Sequence, residues 1–141
     1  EKQINANLTG AIQLTRLVSR SMIRKRQGSI IHMGSVSAHR MVRGHSVYSA
    51  TKAGLEGFTK ALAAELAKRG IRVNTILPGP VMSEMLKNSM ETTGDNPAER
   101  VPMQRLITAD EVAQATVFLL SDNSSAITGV CLPVDGGYLL W

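Results

Sequence analysis

Starting at Ile4, apolar side chains recur at three- and four-residue intervals, at Ile4, Leu8, Ala11, Leu14, Val18 and Met22. That spacing lines one face of a helix and predicts a long helix over residues 4–26. Ile12, Leu17 and Ile23 widen the apolar stripe, which predicts a second partner for the helix, such as another subunit. Arg24, Lys25 and Arg26 complement the negative end of the helix dipole, and Gly28 is expected to end the helix. Residues 29–33 (SIIHM), apolar and bounded by Gly28 and Gly34, predict a buried strand. After a polar loop, residues 46–68 predict a second helix, with small residues at Ala50, Ala53, Gly54, Gly57, Ala61 and Ala64. A glycine inside a helix costs about 1 kcal/mol relative to alanine, so close approach of a neighbouring backbone is the expected compensation. Residues 71–77 (IRVNTIL) predict another strand, stopped by Pro78, Gly79 and Pro80. Residues 81–101 are weakly periodic and predict short helices joined by a mobile loop, of a length common in lids. Thr108 and Glu111 form a capping-box pattern ahead of a helix over 109–121. Residues 130–134, before Asp135, Gly136 and Gly137, predict a last strand.

Strand, helix, strand is the unit of a parallel sheet, so the fold class is α/β, with about three strands and flanking helices in one half of a doubly wound sheet. The 29–33 strand would then keep an open edge, where something should pair. No GxGxxG or similar glycine cluster joins a strand to a helix, so the turn that holds a dinucleotide pyrophosphate is absent from this sequence. The first residue is Glu1, already in helical pattern, which is read as the interior of an element begun earlier.

Composition narrows the function classes. The 141 residues, 43% hydrophobic with one cysteine, suit a folded domain without internal disulfides, as in a reducing compartment. The sequence holds no apolar run of the roughly 20 residues that span a membrane, so a soluble protein of the cytoplasm or an organelle matrix is expected. A net charge of +5 allows an acidic partner, but 4% aromatic content and scattered basic residues argue against nucleic-acid binding. His32, His39 and His45 lack the spacing of a zinc site, so no metal is expected; His32 is read as a strand residue and the other two as loop residues. Cys131 is read as inert packing.

The chemistry concentrates in three residues. Ser35 stands just past a strand end, Tyr48 follows thirteen residues later, and Lys52 comes four after that. Positions i and i+4 share a helix face, which sends the phenol of Tyr48 and the ammonium of Lys52 into one space. Parallel α/β folds bind ligands at the carboxyl ends of their strands, where Ser35 lies. Singly, Ser35 could cap a turn, Asn7 could be a polar helix residue and Lys52 a solvated one; together, their spacing favours a site.

With these residues in place, the chain resembles the short-chain dehydrogenase/reductase family. The resemblance rests on Asn7 in NANLTG, Ser35 in GSVS, Tyr48 and Lys52 in YSATK, and Pro78-Gly79 after RVNTIL; it runs through all 141 residues to the closing ITG and VDGG segments, closest in style to bacterial 3-oxoacyl-acyl-carrier-protein reductases. It implies a Rossmann-like fold of which this is the C-terminal catalytic part, with the cofactor-phosphate-binding part absent. It implies hydride transfer between NADPH, or NADH, and a carbonyl substrate, with Asn7, Ser35, Tyr48 and Lys52 catalytic. Tyr48 would be the proton donor and, with Lys52, would contact the cofactor, Lys52 at the nicotinamide ribose; Ser35 would bond the substrate oxygen, and Asn7 would hold a water leading from Lys52 to solvent. Pro78, Gly79, Val81 and Ser83 would border the nicotinamide, Ser83 standing where many relatives carry Thr. A phenol ordinarily titrates near pH 10, and a neighbouring cation and a helix N-terminus both favour its ionised form. Arg26 and Arg69 would receive an acyl carrier protein near the active-site mouth, although each also suits the end of a helix. A 3-oxoacyl thioester is the expected substrate and a homotetramer the expected assembly. A sugar, steroid or small ketone substrate, or a non-catalytic fragment, are the alternatives.

Overall fold

A computed structural model describes residues 1–140, the side chains of Met85 and Ser89 excepted. The first helix begins as α1 (Lys2–Ile4), passes through a π-helical turn at Asn5–Thr9 and continues as α2 (Gly10–Lys25). The other helices are α3 (Ser46–Leu66), α4 (Glu84–Thr93) and α5 (Ala109–Leu120). The strands β1 (Gly28–Met33), β2 (Ile71–Pro78) and β3 (Cys131–Val134) form one parallel sheet in the order β1-β2-β3. The α/β class and its Rossmann-like half-sheet are thus present. As expected, β1 lies at an edge, and among the described residues no strand pairs with its outer side.

Central β2 is buried along nearly its whole length, because helices cover both faces. On one face Ile30, Ile71 and Val73 pack against Ala63 and Leu66 of α3, with Met22 and Ile23 of α2 alongside. On the other, Ile76 packs against Ile107, and against Val112 and Leu119 of α5. The capping box is present: Thr108 Oγ1 accepts from Glu111 N–H at 3.2 Å, and the Glu111 carboxylate accepts from Thr108 N–H at 2.9 Å. Arg105 also holds that carboxylate, and the pair brings Glu111 down to about 2.

Two readings of glycine need correction. The first helix is ended by Arg26, not by Gly28: Arg26 takes the left-handed conformation (φ 53°), and its N–H turns back to Ile23 and Met22 carbonyls. Gly28 instead opens β1, where any Cβ would press into the Met22 side chain. In α3, Gly54 makes room for the side chain of Leu8 and not for a backbone, while Gly57 faces open space within the chain. The 81–101 segment resolves into α4 and a 3-10 turn at Pro97–Arg100, with left-handed Gly94 ending α4.

Candidate active site

The sheet sets the stage. At the C-terminal end of β1, Gly34 N–H bonds to Ile76 O at 2.8 Å, and a Cβ there would collide with Leu77 and Thr75. Only glycine lets the chain leave the sheet so tightly, and the next residue is Ser35. Ser35 is buried, and its Oγ accepts from Ser37 N–H at 3.1 Å, capping the 3-10 turn at Val36–Ala38. The turn-capping role is therefore real, and it leaves the hydroxyl on the wall of a cleft. That cleft, about 240 Å3, is lined by Ser35, His45, Gly79, Pro80, Arg100 and Tyr138 among others.

Tyr48 is the third residue of α3, half-buried, where the dipole is positive. Lys52 stands one turn on, with Nζ 5.5 Å from the centre of the Tyr48 ring and donating to Met33 O at 2.7 Å. Burial pushes the Lys52 ammonium below its ordinary value. The carbonyl that ends β1 thus fixes Lys52 beside the phenol. Of the buried side-chain oxygens among the described residues, Ser49 Oγ, next to Tyr48, is the one without a partner.

Asn7 lies in the π-helical turn, which sequence periodicity did not reveal. One extra residue per turn turns its side chain toward α3, where Nδ2 donates to Thr51 Oγ1 at 3.4 Å and Thr51 Oγ1 donates to Tyr48 O at 2.7 Å. Asn7 and Lys52 line one cavity of about 380 Å3 together with Thr15 and His32.

The end of β2 supplies the opposite wall. Gly79 N–H bonds to Val134 O at 3.0 Å, and a Cβ on Gly79 would run into the backbone of Asp135, so β3 packs too closely for any other residue. Pro78 continues the strand, and Val81 pairs as a single bridge with Ile107. Ser83 is exposed and caps α4, its Oγ accepting from Leu86 N–H at 3.2 Å.

Arg26 and Arg69 are exposed, but they lie beyond the N-terminal ends of β1 and β2. Six residues of strand, about 20 Å, separate that edge from Ser35, so within this chain the pair is not at the mouth of the cleft. Arg26 also has an internal role: its guanidinium donates to Lys68 O at 2.9 Å, beyond the end of α3.

Several polar residues escaped the sequence reading. His32 is buried, with Nε2 2.9 Å from Thr15 Oγ1 and Nδ1 2.7 Å from Thr59 Oγ1, and burial lowers its pKa. Thr75 Oγ1 donates to Thr59 Oγ1 at 2.8 Å, completing a hydroxyl network under α3. Glu56 is also buried and pairs with His39. The available signal was a polar residue on a buried face, since buried polar groups require partners.

In the cofactor's case, the cleft between the ends of β1 and β2 and the Lys52 site fit the nicotinamide-ribose end. No glycine-rich turn of the kind that holds a dinucleotide pyrophosphate occurs in this sequence.

A family model described as enoyl-(acyl carrier protein) reductase matches residues 1–139. The chain is 42% identical over 137 residues to the 3-oxoacyl-acyl-carrier-protein reductase FabG of Buchnera aphidicola, covering 97% of this chain and 56% of that protein. It is 44% identical over 137 residues to carbonyl reductase family member 4 of Xenopus tropicalis, with the same coverage. The chain therefore spans little more than half the length of these relatives. A solved short chain dehydrogenase/reductase family protein superposes with a TM-score of 0.88 at 37% identity, over 98% of this chain and 57% of that one. Other similar structures are titled as ElxO with NADP bound (29% identity, TM-score 0.89, 96% of this chain and 56% of that one) and NAD+-bound xylitol dehydrogenase (31%, 0.87, 95% and 58%).

Proposed function

Because this chain belongs to the short-chain dehydrogenase/reductase family, we propose that it is the C-terminal catalytic part of an NADPH-dependent reductase that converts a 3-oxoacyl thioester into the 3-hydroxyacyl thioester. The observation that carries the reading is the Tyr48-Lys52 pair at the N-terminus of α3, beside the strand end that presents Ser35. The bound nicotinamide supplies hydride; the residues here manage the oxygen and the proton. Ser35 Oγ donates to the substrate carbonyl, and Tyr48 delivers the proton to the developing alkoxide. Lys52 would hold the phenol's charge and the ribose hydroxyls, and Asn7, which lines one cavity with Lys52, would hold a water that links it to solvent. Pro78, Gly79, Val81 and Ser83 would border the nicotinamide. NADPH oxidation by the full-length protein should be faster with an acetoacetyl thioester than with sugars, steroids or small ketones. No turnover in a protein that binds no NADPH would overturn the reading in favour of a non-catalytic chain.

Two partner readings accompany it. A second copy of the protein is the proposed cover for the outer face of α3, where Gly57 has nothing within 4 Å and Leu14 and Leu17 of α2 are more than 60% exposed. Gly57→Ala should add about 0.5–1 kcal/mol of helix propensity to the isolated fold, yet weaken tetramer formation in sedimentation. An acyl carrier protein is proposed to meet Arg26 and Arg69 across the sheet from the cleft. Arg26→Glu combined with Arg69→Glu should raise KM for a carrier-bound substrate several-fold and leave KM for a free thioester unchanged; equal effects on both would exclude it.

A further inference from the structure

Glu56 is a buried carboxylate, with a side chain 5% exposed, one turn beyond Lys52 on α3. A carboxylate is costly to bury without partners. His39 meets that need: its Nε2 stands 3.0 and 2.9 Å from the two oxygens of Glu56, with the imidazole half exposed at the rim. Deeper in, Glu56 lies against Cys131 on β3, whose thiol is held above its ordinary pKa by burial and then by the Glu56 charge.

The place of His39 in the chain gives the pair its significance. His39 ends the 3-10 turn that Ser35 begins, with His39 N–H bonded to Val36 O at 3.0 Å and Ala38 N–H to Ser35 O at 3.1 Å. Ser35 Oγ accepts its own bond from Ser37 inside that turn, so the direction of the hydroxyl follows the turn as a body. On one side the turn is anchored by the end of β1. On the other, His39 ties it to the same helix that carries Tyr48 and Lys52. The next residue adds a second tether, Arg40, whose guanidinium lies 4.1 Å over the Tyr138 ring and donates to Tyr138 O at 2.8 Å.

We propose that the His39-Glu56 pair is a latch that positions Ser35: it fixes the 36–38 turn against α3 and so sets the distance from the Ser35 hydroxyl to Tyr48. His39 and Glu56 act through Ser35 and touch neither substrate nor cofactor. The inference rests on the reductase reading and adds to it two positioning residues. It also explains a buried acid for which proton transfer has no use.

The experiment compares wild type, His39→Ala and His39→Gln in the full-length protein, by steady-state kinetics and by amide hydrogen exchange over residues 36–40. His39→Ala should lower kcat about tenfold, with KM and NADPH affinity within about twofold of wild type, and should speed exchange about tenfold. His39→Gln keeps an N–H donor and should restore most of both. Unchanged exchange in His39→Ala overturns the latch whatever the activity. Faster exchange with kcat within twofold of wild type overturns its role in positioning Ser35, as does a His39→Gln variant no better than His39→Ala. A wild-type protein that reduces no carbonyl substrate overturns the reductase reading and, with it, the catalytic part of the proposal. Glu56→Leu, which fills the buried space but offers His39 no acceptor, should reproduce the His39→Ala phenotype; wild-type kcat in a folded Glu56→Leu protein also overturns the latch.

Discussion

Tyr48→Phe in the full-length protein should lower kcat by about two to four orders of magnitude, the range contributed by a positioned general acid, with NADPH affinity nearly unchanged. The change removes one oxygen from a half-buried ring whose edge-on neighbour, His45, stays in place with centroids 5.8 Å apart. Packing is preserved, so the fold should be as well, and the loss will be chemical. Lys52 would keep its bond to Met33 O and its hold on the ribose. A loss of cofactor binding parallel to the loss of rate, measured by fluorescence titration, would show that Tyr48 binds and does not transfer protons.

Asn74→Ala is the substitution expected to cost the most stability, about 2–5 kcal/mol. Asn74 is fully buried in β2; its Nδ2 donates to Ile127 O at 3.0 Å and its Oδ1 accepts from Val130 N–H at 3.0 Å. These bonds fasten the segment leading into β3 to the centre of the sheet. Truncation leaves an amide N–H and a carbonyl without partners, each costing about 1–3 kcal/mol. Urea unfolding should show a lower midpoint with little change in slope; a midpoint shift worth less than about 1 kcal/mol would mean that water or a shifted backbone replaces the side chain.

Asn74 also marks where sequence reading stopped. The elements were legible because apolar periodicity and punctuation agree: SIIHM and IRVNTIL are too apolar and too short for helices, and Thr108 with Glu111 announces α5. Ser35, Tyr48 and Lys52 were legible from order and spacing along one strand end and one helix. What escaped was polarity inside those apolar runs. Asn74, His32 and Glu56 each look like an interruption of a hydrophobic face, and only the fold shows the partner that compensates each one. The π-helical turn escaped for a different reason: a single added residue barely disturbs a three- and four-residue rhythm, yet it redirects Asn7. Arg26 and Arg69 show the limit of position along the chain in another way: within this chain they stand at the far edge of the sheet from the cleft and not at its mouth, a separation that only the strand directions reveal.

The sheet order has a temporal consequence. Among the described residues β2 is the strand paired on both sides, so the β1–β2 ladder cannot form until residues some forty positions after β1 have been made. At ordinary synthesis rates of about 5–20 residues per second that is roughly 2–8 seconds. For that interval the side of β1 that will face β2 is an open, apolar template, the kind of segment chaperones bind and neighbouring chains can capture.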